Sequence, residues 1–344
     1  MKPEFRATTP ADLPAIAAFL ARVFEADPGE PGIDPRMLEW KYWKERPGWQ
    51  GSRSYVLERG GSIIAHGAAW PSKIMAANAI PCFSLIDWAA SPEFPGAGVS
   101  LLKHMTKIVP VIFLFGGSEI ARKMRTAMGF RLRNEVRTLA LPLRPVRQIL
   151  TSQWNWRTPA RLARNLLWSR TARLAGEWQA EPIDPLQLSQ SRVPWPAGGA
   201  DTLFLERDPA LFQYLAGCPL TGAAFFLVIR DSKTAGYFCL TFPPGQARIA
   251  DAWTPSTQVE DWANIYALAI HQASSHPGVN EVTACSASAT SLAALEKCGF
   301  HTRIVDMVQL LDPGGQVPAG LPLQVQLIDG DSSFLSGVNP AYLT

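Results

Sequence analysis

Phe83-Ser84-Leu85-Ile86-Asp87-Trp88-Ala89-Ala90-Ser91-Pro92-Glu93-Phe94-Pro95-Gly96-Ala97-Gly98-Val99 is the stretch on which the reading of this chain turns. Phe83 to Ala90 is apolar at most positions and reads as a strand. Ser91 to Gly98 holds two prolines and two glycines and reads as a loop. Val99 to Lys107 then has helical character. A strand that ends in a glycine-bearing loop and opens a helix directs several backbone N–H groups at one point, where the helix dipole adds partial positive charge. Such a turn is an anion site, because Gly96 and Gly98 let the backbone approach a pyrophosphate where a side chain would stand in the way. Two glycines beside a proline also make an ordinary turn, so the surrounding order of elements has to decide.

Upstream, Thr9-Pro10-Ala11-Asp12 is a helix start with a capping residue, an early proline and an acid three residues after the cap. Ile16, Phe19, Leu20, Val23 and Phe24 repeat behind it at helical spacing. Leu38-Glu39-Trp40-Lys41-Tyr42-Trp43 crowds its aromatics into either a helix face or a lid over a pocket. Ser54 to Glu58 and Ser62 to Ala69 flank Arg59-Gly60-Gly61 as a hairpin. Downstream come a strand, Val111 to Phe115, and a helix from Ser118 to Met128, with Gly129 suited to the left-handed position just past it. A last strand pair is expected to close the unit near Leu141-Pro142.

From Phe225 the same order begins again: a hairpin about Asp231-Ser232-Lys233, a strand from Ala247 to Trp253, a helix from Val259 to Ala273, a strand from Val279 to Cys285 and a helix ending at Cys298-Gly299-Phe300. Ser118 and Ser288, Gly129 and Gly299, Phe130 and Phe300, and Arg133 and Arg303 all stand 170 residues apart. Matched residues within a matched order of elements indicate an internal duplication.

With its strand, glycine loop, helix, strand, helix and Gly-Phe in sequence, the segment from Ser91 to Phe130 resembles the GNAT (GCN5-related N-acetyltransferase) superfamily, whose pyrophosphate loop reads R/Q-x-x-G-x-G/A. The two-copy arrangement resembles tandem GNAT enzymes. The resemblance implies an α/β fold of the α+β type: two tandem units, each a mixed, mostly antiparallel twisted sheet flanked by helices. The expected division is an acyl-CoA-binding unit at 1–142, a basic helical linker at 143–195, a second unit with a degenerate loop at 196–313, and a tail at 314–344. By the resemblance acyl-CoA lies where the strands ending near Ala90 and starting near Val111 part. Ala89 and Ala90, the loop residues Pro95, Gly96, Ala97, Gly98 and Val99, and Arg125 are then the candidate contacts.

The sequence departs from the family pattern in three places. Glu93 stands where the family has Arg or Gln, Ser118 and Ser288 stand in place of an asparagine, and Arg125 and Leu295 in place of the tyrosine that often protonates the leaving thiolate. Aminolysis of a thioester needs a neutral amine, a base or relay for its proton and a donor for the developing oxyanion. Asp87, flanked by Leu85, Ile86 and Trp88, is the candidate base or relay, with a pKa expected to rise if desolvated. Capping or pairing at a strand end is the equal alternative. Ser118 is the second catalytic candidate. His66 and His104 read as ordinary packed or hydrogen-bonded histidines. In the second copy, Trp253-Thr254-Pro255-Ser256-Thr257-Gln258-Val259 has no glycine, and its side chains are expected to crowd a diphosphate.

At 344 residues with 47% hydrophobic and 18% charged side chains, the chain has the apolar material for two globular domains. Five cysteines with no C-x-x-C spacing suggest neither a disulfide nor a zinc site, and no metal is expected. No run nears the ~20 apolar residues of a membrane span, and the start lacks the apolar run of a signal peptide, so a cytoplasmic address is expected. A net charge of +3 argues against nucleic acid as a general partner. Between Pro142 and Trp178, however, lie seven arginines and one acid, with Trp154, Trp156 and Trp168 among them. That 142–178 segment is either an inter-domain helix with packed tryptophans or a basic surface for an anionic membrane or substrate.

The expected activity is transfer of an acyl group, acetyl above all, from CoA to a small-molecule or sugar-linked amine in a ternary complex. A tRNA-dependent aminoacyl transfer on the same fold, and a binding protein that kept the fold without the chemistry, stay open beside it.

Overall fold

The structure, a computed structural model, describes every residue except 1, 28, 118–123, 170–176, 200, 336 and 338. After an edge strand, β1 (Glu4–Ala7), the capping signal at Thr9 takes effect: its amide donates to the Asp12 carboxylate at 2.8 Å, and α1 (Leu13–Phe24) follows, burying Ile16, Phe19 and Leu20. The crowded aromatics fall on α2 (Pro35–Tyr42), whose N-terminus is capped by the Asp34 carboxylate. Gly60 and Gly61, both at positive φ, turn β2 (Ser54–Arg59) into β3 (Ser62–Met75), the backbone that a two-residue hairpin demands. Then come β4 (Ala79–Ala90), α3 (Ala97–Met105), β5 (Val111–Leu114), helical residues 124–127 and β6 (Arg131–Pro142).

Two helices, α4 (Pro145–Leu150) and α5 (Thr158–Trp168), lead to β7 (Trp178–Ile183). A short β8 (Leu203–Leu205) and α6 (Pro209–Ala216) precede the second hairpin, β9 (Ala223–Arg230) and β10 (Lys233–Thr241), with Asp231 and Ser232 both at positive φ in its turn. It is completed by β11 (Gln246–Trp253), α7 (Val259–Ser275), β12 (Glu281–Ser286), α8 (Ala289–Lys297), β13 (His301–Leu311) and, in the tail, β14 (Leu323–Gln324), which pairs with β8. Within 143–195, β7 pairs with β9 at one sheet edge as β1 pairs with β2 at the other.

All of this joins in one sheet of order β1-β2-β3-β4-β5-β13-β6-β12-β11-β10-β9-β7. Along that path only β4 with β5 and β11 with β12 are parallel. The order reads alike from both ends, which is the duplication in three dimensions.

Closure of the first unit differs from the expected last strand pair. A single strand, β6, reaches Pro142, and it pairs not with β5 but with β12 and β13 of the second unit. In return β13 pairs with β5. The two units have exchanged their last strands. Leu114 opposite Gln309, and Ala284 opposite Leu139, are the same pairing seen from the two copies, since each residue is 170 positions from its counterpart. Val136 faces Asp306, its own counterpart, so the pseudo-twofold axis passes through that pair.

The helices follow the same sharing. Trp40 of α2 stacks on Tyr214 of α6 at 5.1 Å, and both belong to an apolar cluster that also holds Ile16, Tyr237 and, from the tail, Ile328 and Phe334. One core cluster is thus common to both halves, and each half's last strand pairs within the other. The full chain should therefore melt as one calorimetric transition, and residues 1–142 alone should give no cooperative transition. Two separated transitions of the full chain would show independent units.

Candidate functional site

The site begins at a parting of strands. β4 and β5 pair only over Cys82–Ser84 and Val111–Phe113. From Leu85 onward, the β5-facing edge of β4 has no strand partner among the described residues, while on its other side β4 continues along β3 to Ala90. At the parting β4 carries a bulge: His66 pairs with Ala89 and Ala68 with Ile86, so Asp87 and Trp88 together stand opposite Gly67. Asp87 sits at φ +48°, a left-handed conformation that Asp tolerates better than bulkier residues. Gly67 is required there by close packing, since a β-carbon would come within 3.2 Å of Leu101 and Met105 on α3.

Beyond the bulge the chain enters the glycine loop. Gly96 caps α3 at φ +84°, with open space where a side chain would project. Gly98 serves packing: a β-carbon would meet Ala90 and the Trp88 indole at 3.3 Å, and that indole N–H donates to the Gly98 carbonyl at 3.2 Å. The Ala97 amide donates to the Phe94 carbonyl at 3.1 Å, whereas the amides of Gly98 and Val99 meet no acceptor among the described residues. Pro95 has no N–H to offer. The second copy is built the other way. Thr254 Oγ1 and Ser256 Oγ accept from the amides of Ser256 and Gln258, and the Trp262 indole donates to the Ser256 carbonyl at 2.8 Å. The Ser256 and Gln258 amides ahead of the helix are thus used locally, beside a smaller cavity of about 170 Å³.

The parted strands open into a cavity of about 650 Å³ between the two units. Trp88 and Phe115, Val136 and Asp306 of the exchanged strands, and Asp331 of the tail all line it. Lys41, wholly buried behind Asp87 and Asp331, links them: its ammonium lies 2.5 Å from Asp87 Oδ2 and 3.6 Å from Asp331 Oδ2. The Tyr42 hydroxyl also donates to Asp87 Oδ2, at 2.7 Å. Both carboxylates keep some exposure to the cavity, 10% and 14%.

These contacts split the two acids. Burial pushes Asp87 up, but Lys41 and Tyr42 outweigh it and hold the carboxyl below the ordinary range, opposite to the rise expected from desolvation alone. Asp331 is pushed up to about 6 by burial and by the neighbouring Asp87 charge, which the more distant Lys41 offsets only in part. Lys41 itself, though desolvated, is kept charged by the pair, with its pKa raised. His66 is buried and pushed down to about 4. Its Nδ1 meets the Asp87 carbonyl at 3.0 Å, so Nδ1 carries the proton and Nε2 accepts from Ser54 Oγ at 2.9 Å. It is a neutral prop for the bulge. His104 stacks on Phe5.

Asp331 is held in place by its flanks. Two residues before it, Asp329 forms a buried bidentate pair with Arg207, which also grips Asp251. On the other side Arg248 donates to the carbonyls of Ser332 and Leu335, and Thr241 Oγ1 to that of Ser333. The tail thus straps both units and delivers one acid to the cleft.

Of the residues singled out from sequence, Asp87 lies at the cavity, Ala89 and Ala90 on the unpaired edge of β4, and Pro95 to Val99 at the start of α3. Arg125 is buried, donating to the Gly116 carbonyl and to Gln309 of β13. Ser118 lies outside the described residues. Lys41, Tyr42 and Asp331 were not anticipated as a cluster. The aromatic segment around Lys41 was the sole hint, and Asp331 is too far away in sequence to give one. Among the described residues no group of His, Cys, Asp and Glu could hold a metal ion.

No family model matches the sequence, and no curated protein does. Solved structures match its shape. A GCN5-related N-acetyltransferase from Anabaena variabilis superposes with a TM-score of 0.57 at 16% identity, covering 90% of this chain and 73% of that one. A tandem GNAT protein from the clavulanic acid biosynthesis pathway gives 0.57 at 11%, covering 91% and 99%. N-myristoyltransferase from Saccharomyces cerevisiae, solved with myristoyl-CoA, gives 0.60 at 12%, covering 90% and 80%. The chain has the tandem GNAT fold.

Lys41→Met should leave two buried carboxylates without a counter-charge and cost about 3–5 kcal/mol at pH 8. Both acids would then bind protons more tightly folded than unfolded. The variant should regain stability as the pH falls toward 5, and thermal melts against wild type at the two pH values measure this.

Proposed function

We propose that this protein is an acyl-CoA-dependent N-acyltransferase, with acetyl-CoA as donor and direct transfer to an amine held in the cavity between the two units. One observation carries the reading: among the described residues, an unpaired strand edge, Leu85 to Ala90, has unused helix amides at one end and a carboxylate-walled cavity at the other. The pantetheine arm, with its two amides, suits a vacant strand edge as an added strand does. Its pyrophosphate then meets the Gly98 and Val99 amides and the dipole of α3. The thioester arrives at the bulge, beside Trp88 and Phe115. The fold shared with acyl-CoA-using neighbours supports the donor class, and the cavity of about 650 Å³ against about 170 Å³ favours the first copy as its site.

In this reading Asp87, Asp306 and Asp331 draw an amine into the cavity as its ammonium. Asp331 takes the proton, being the more basic of the two acids joined through Lys41, and Asp87 fixes the Lys41 and Tyr42 donors that set this basicity. The lone pair so freed attacks the thioester carbonyl, the C–S bond breaks, and the departing thiolate takes the second proton from the nitrogen, so that CoA leaves as the thiol and the amide is neutral. Ser118, outside the described residues, and Arg125, which donates to the Gly116 carbonyl and Gln309, are proposed to assist the departing thiol or the CoA phosphates. The acceptor is a compact amine, small or sugar-linked, as a cavity of about 650 Å³ allows.

Three outcomes test this. Asp331→Asn should lower kcat by about 10²–10⁴ while CoA binding is kept. The wild-type rate should fall as the pH drops below about 6, where Asp331 takes up its proton. Gly96→Asp puts a side chain on a left-handed backbone and should cost about 1–2 kcal/mol of stability, and its charge should weaken CoA binding about tenfold in calorimetry at a temperature where the variant is folded. Unchanged CoA affinity in that variant contradicts the reading.

A further inference from the structure

The segment 145–168 has its amphipathic pattern reversed. On α5 the residues turned to the protein are polar: Thr158 and Asn165 are buried, and Asn165 donates to Gln148 of α4 at 2.8 Å, which in turn donates to the buried Glu281 at 3.1 Å. Arg161 reaches Ser152, and Trp168 stacks on His301 at 3.9 Å with the Arg164 guanidinium over its ring at 4.5 Å. The residues turned to solvent are apolar. Pro159, Ala160 and Ala163 are exposed, with Leu166 51% and Leu167 68% exposed, at helical spacing along one face. The pattern continues in α4, where Val146 and Leu150 are one turn apart and 56% and 79% exposed. The loop between the helices adds Trp154 at 73% and Trp156 at 82%. Of the two sequence readings of these tryptophans, packing holds only for Trp168.

Large aliphatic and indole groups held out in water by a polar anchoring face are a surface built for an apolar environment. The charge beside them specifies which one. Arg147 and Arg157 are exposed in the same segment, with no acid between Pro142 and Glu177. Arg157 stands over the Trp156 ring at 4.7 Å, a cation at the level of an exposed indole. Basic groups beside tryptophan and leucine are the composition of a helix lying in the headgroup layer of an anionic bilayer. A nucleic acid would use the arginines and the indoles but leaves Val146, Leu150, Leu166 and Leu167 without a role.

We propose that α4, α5 and the loop joining them dock this protein on an anionic lipid surface, with the two exposed tryptophans and the leucine face entering the headgroup region. The full chain should co-sediment with vesicles of phosphatidylcholine containing about a third phosphatidylserine, weakly or not at all with phosphatidylcholine alone, and less as salt rises. Trp154→Ser with Trp156→Ser should lower the partition coefficient about tenfold or more, with the melting temperature unchanged because neither indole is packed. Arg147→Gln with Arg157→Gln should weaken binding to the anionic vesicles alone. The proposal is overturned if wild type does not sediment with the anionic vesicles, if both double variants bind as wild type does, if tRNA is retained on filters while vesicles are not bound, or if light scattering finds a dimer that the tryptophan variant dissociates. CoA calorimetry on the same variants is independent of this outcome.

Discussion

The architecture depends on the exchange of last strands. A sheet strand that parts from its neighbour exposes backbone groups on both sides of the gap, and a short strand such as β5 would have little to hold it there. Here β13 takes the far edge of β5, and β6 does the same for β12, so each parted strand is fixed by the other unit. The opening beside β4 persists because the sheet is closed elsewhere. The same exchange sets Val136 and Asp306 on the pseudo-twofold axis and makes them part of the lining of the cleft.

Duplication gave two equivalent clefts, and side-chain chemistry separated them. In the first, two loop amides meet no acceptor among the described residues and a cavity of about 650 Å³ opens. In the second, serine and threonine hydroxyls accept from the Ser256 and Gln258 amides and a cavity of about 170 Å³ is left. The second unit contributes to the first cleft instead. Its Arg207 and Arg248 hold the tail, and the tail carries Asp331 to a point 3.6 Å from Lys41. A buried ammonium between two carboxylates costs desolvation, and here that cost divides two like acids into one of lowered and one of raised pKa.

Much of the fold was legible because it is encoded locally. Gly60-Gly61 and Asp231-Ser232 specify hairpins through their own dihedrals, Thr9 and Asp12 specify a helix start through their own hydrogen bond, and the Gly-Phe pairs mark the repeat. The exchange was not legible, since β6 and β13 occupy equivalent places in the repeat and either could pair with β5. Nothing within a strand states which copy it joins. The site divided along the same line. Asp87 and the glycine loop stand next to each other in sequence, whereas Lys41, Asp87 and Asp331 meet only through the fold, and the direction of the Asp87 shift turned on that distant ammonium. The glycines also had a second cause: Gly98 makes room for Ala90 and Trp88 within the protein.

The most direct test is a crystal structure of the full chain soaked with acetyl-CoA. The account predicts density with the pantetheine beside Leu85 to Ala90, the pyrophosphate on the Gly98 and Val99 amides, and the thioester opening into the cavity that Asp331 borders. Density at the Trp253–Gln258 loop, or none along β4 at saturating ligand, would contradict it.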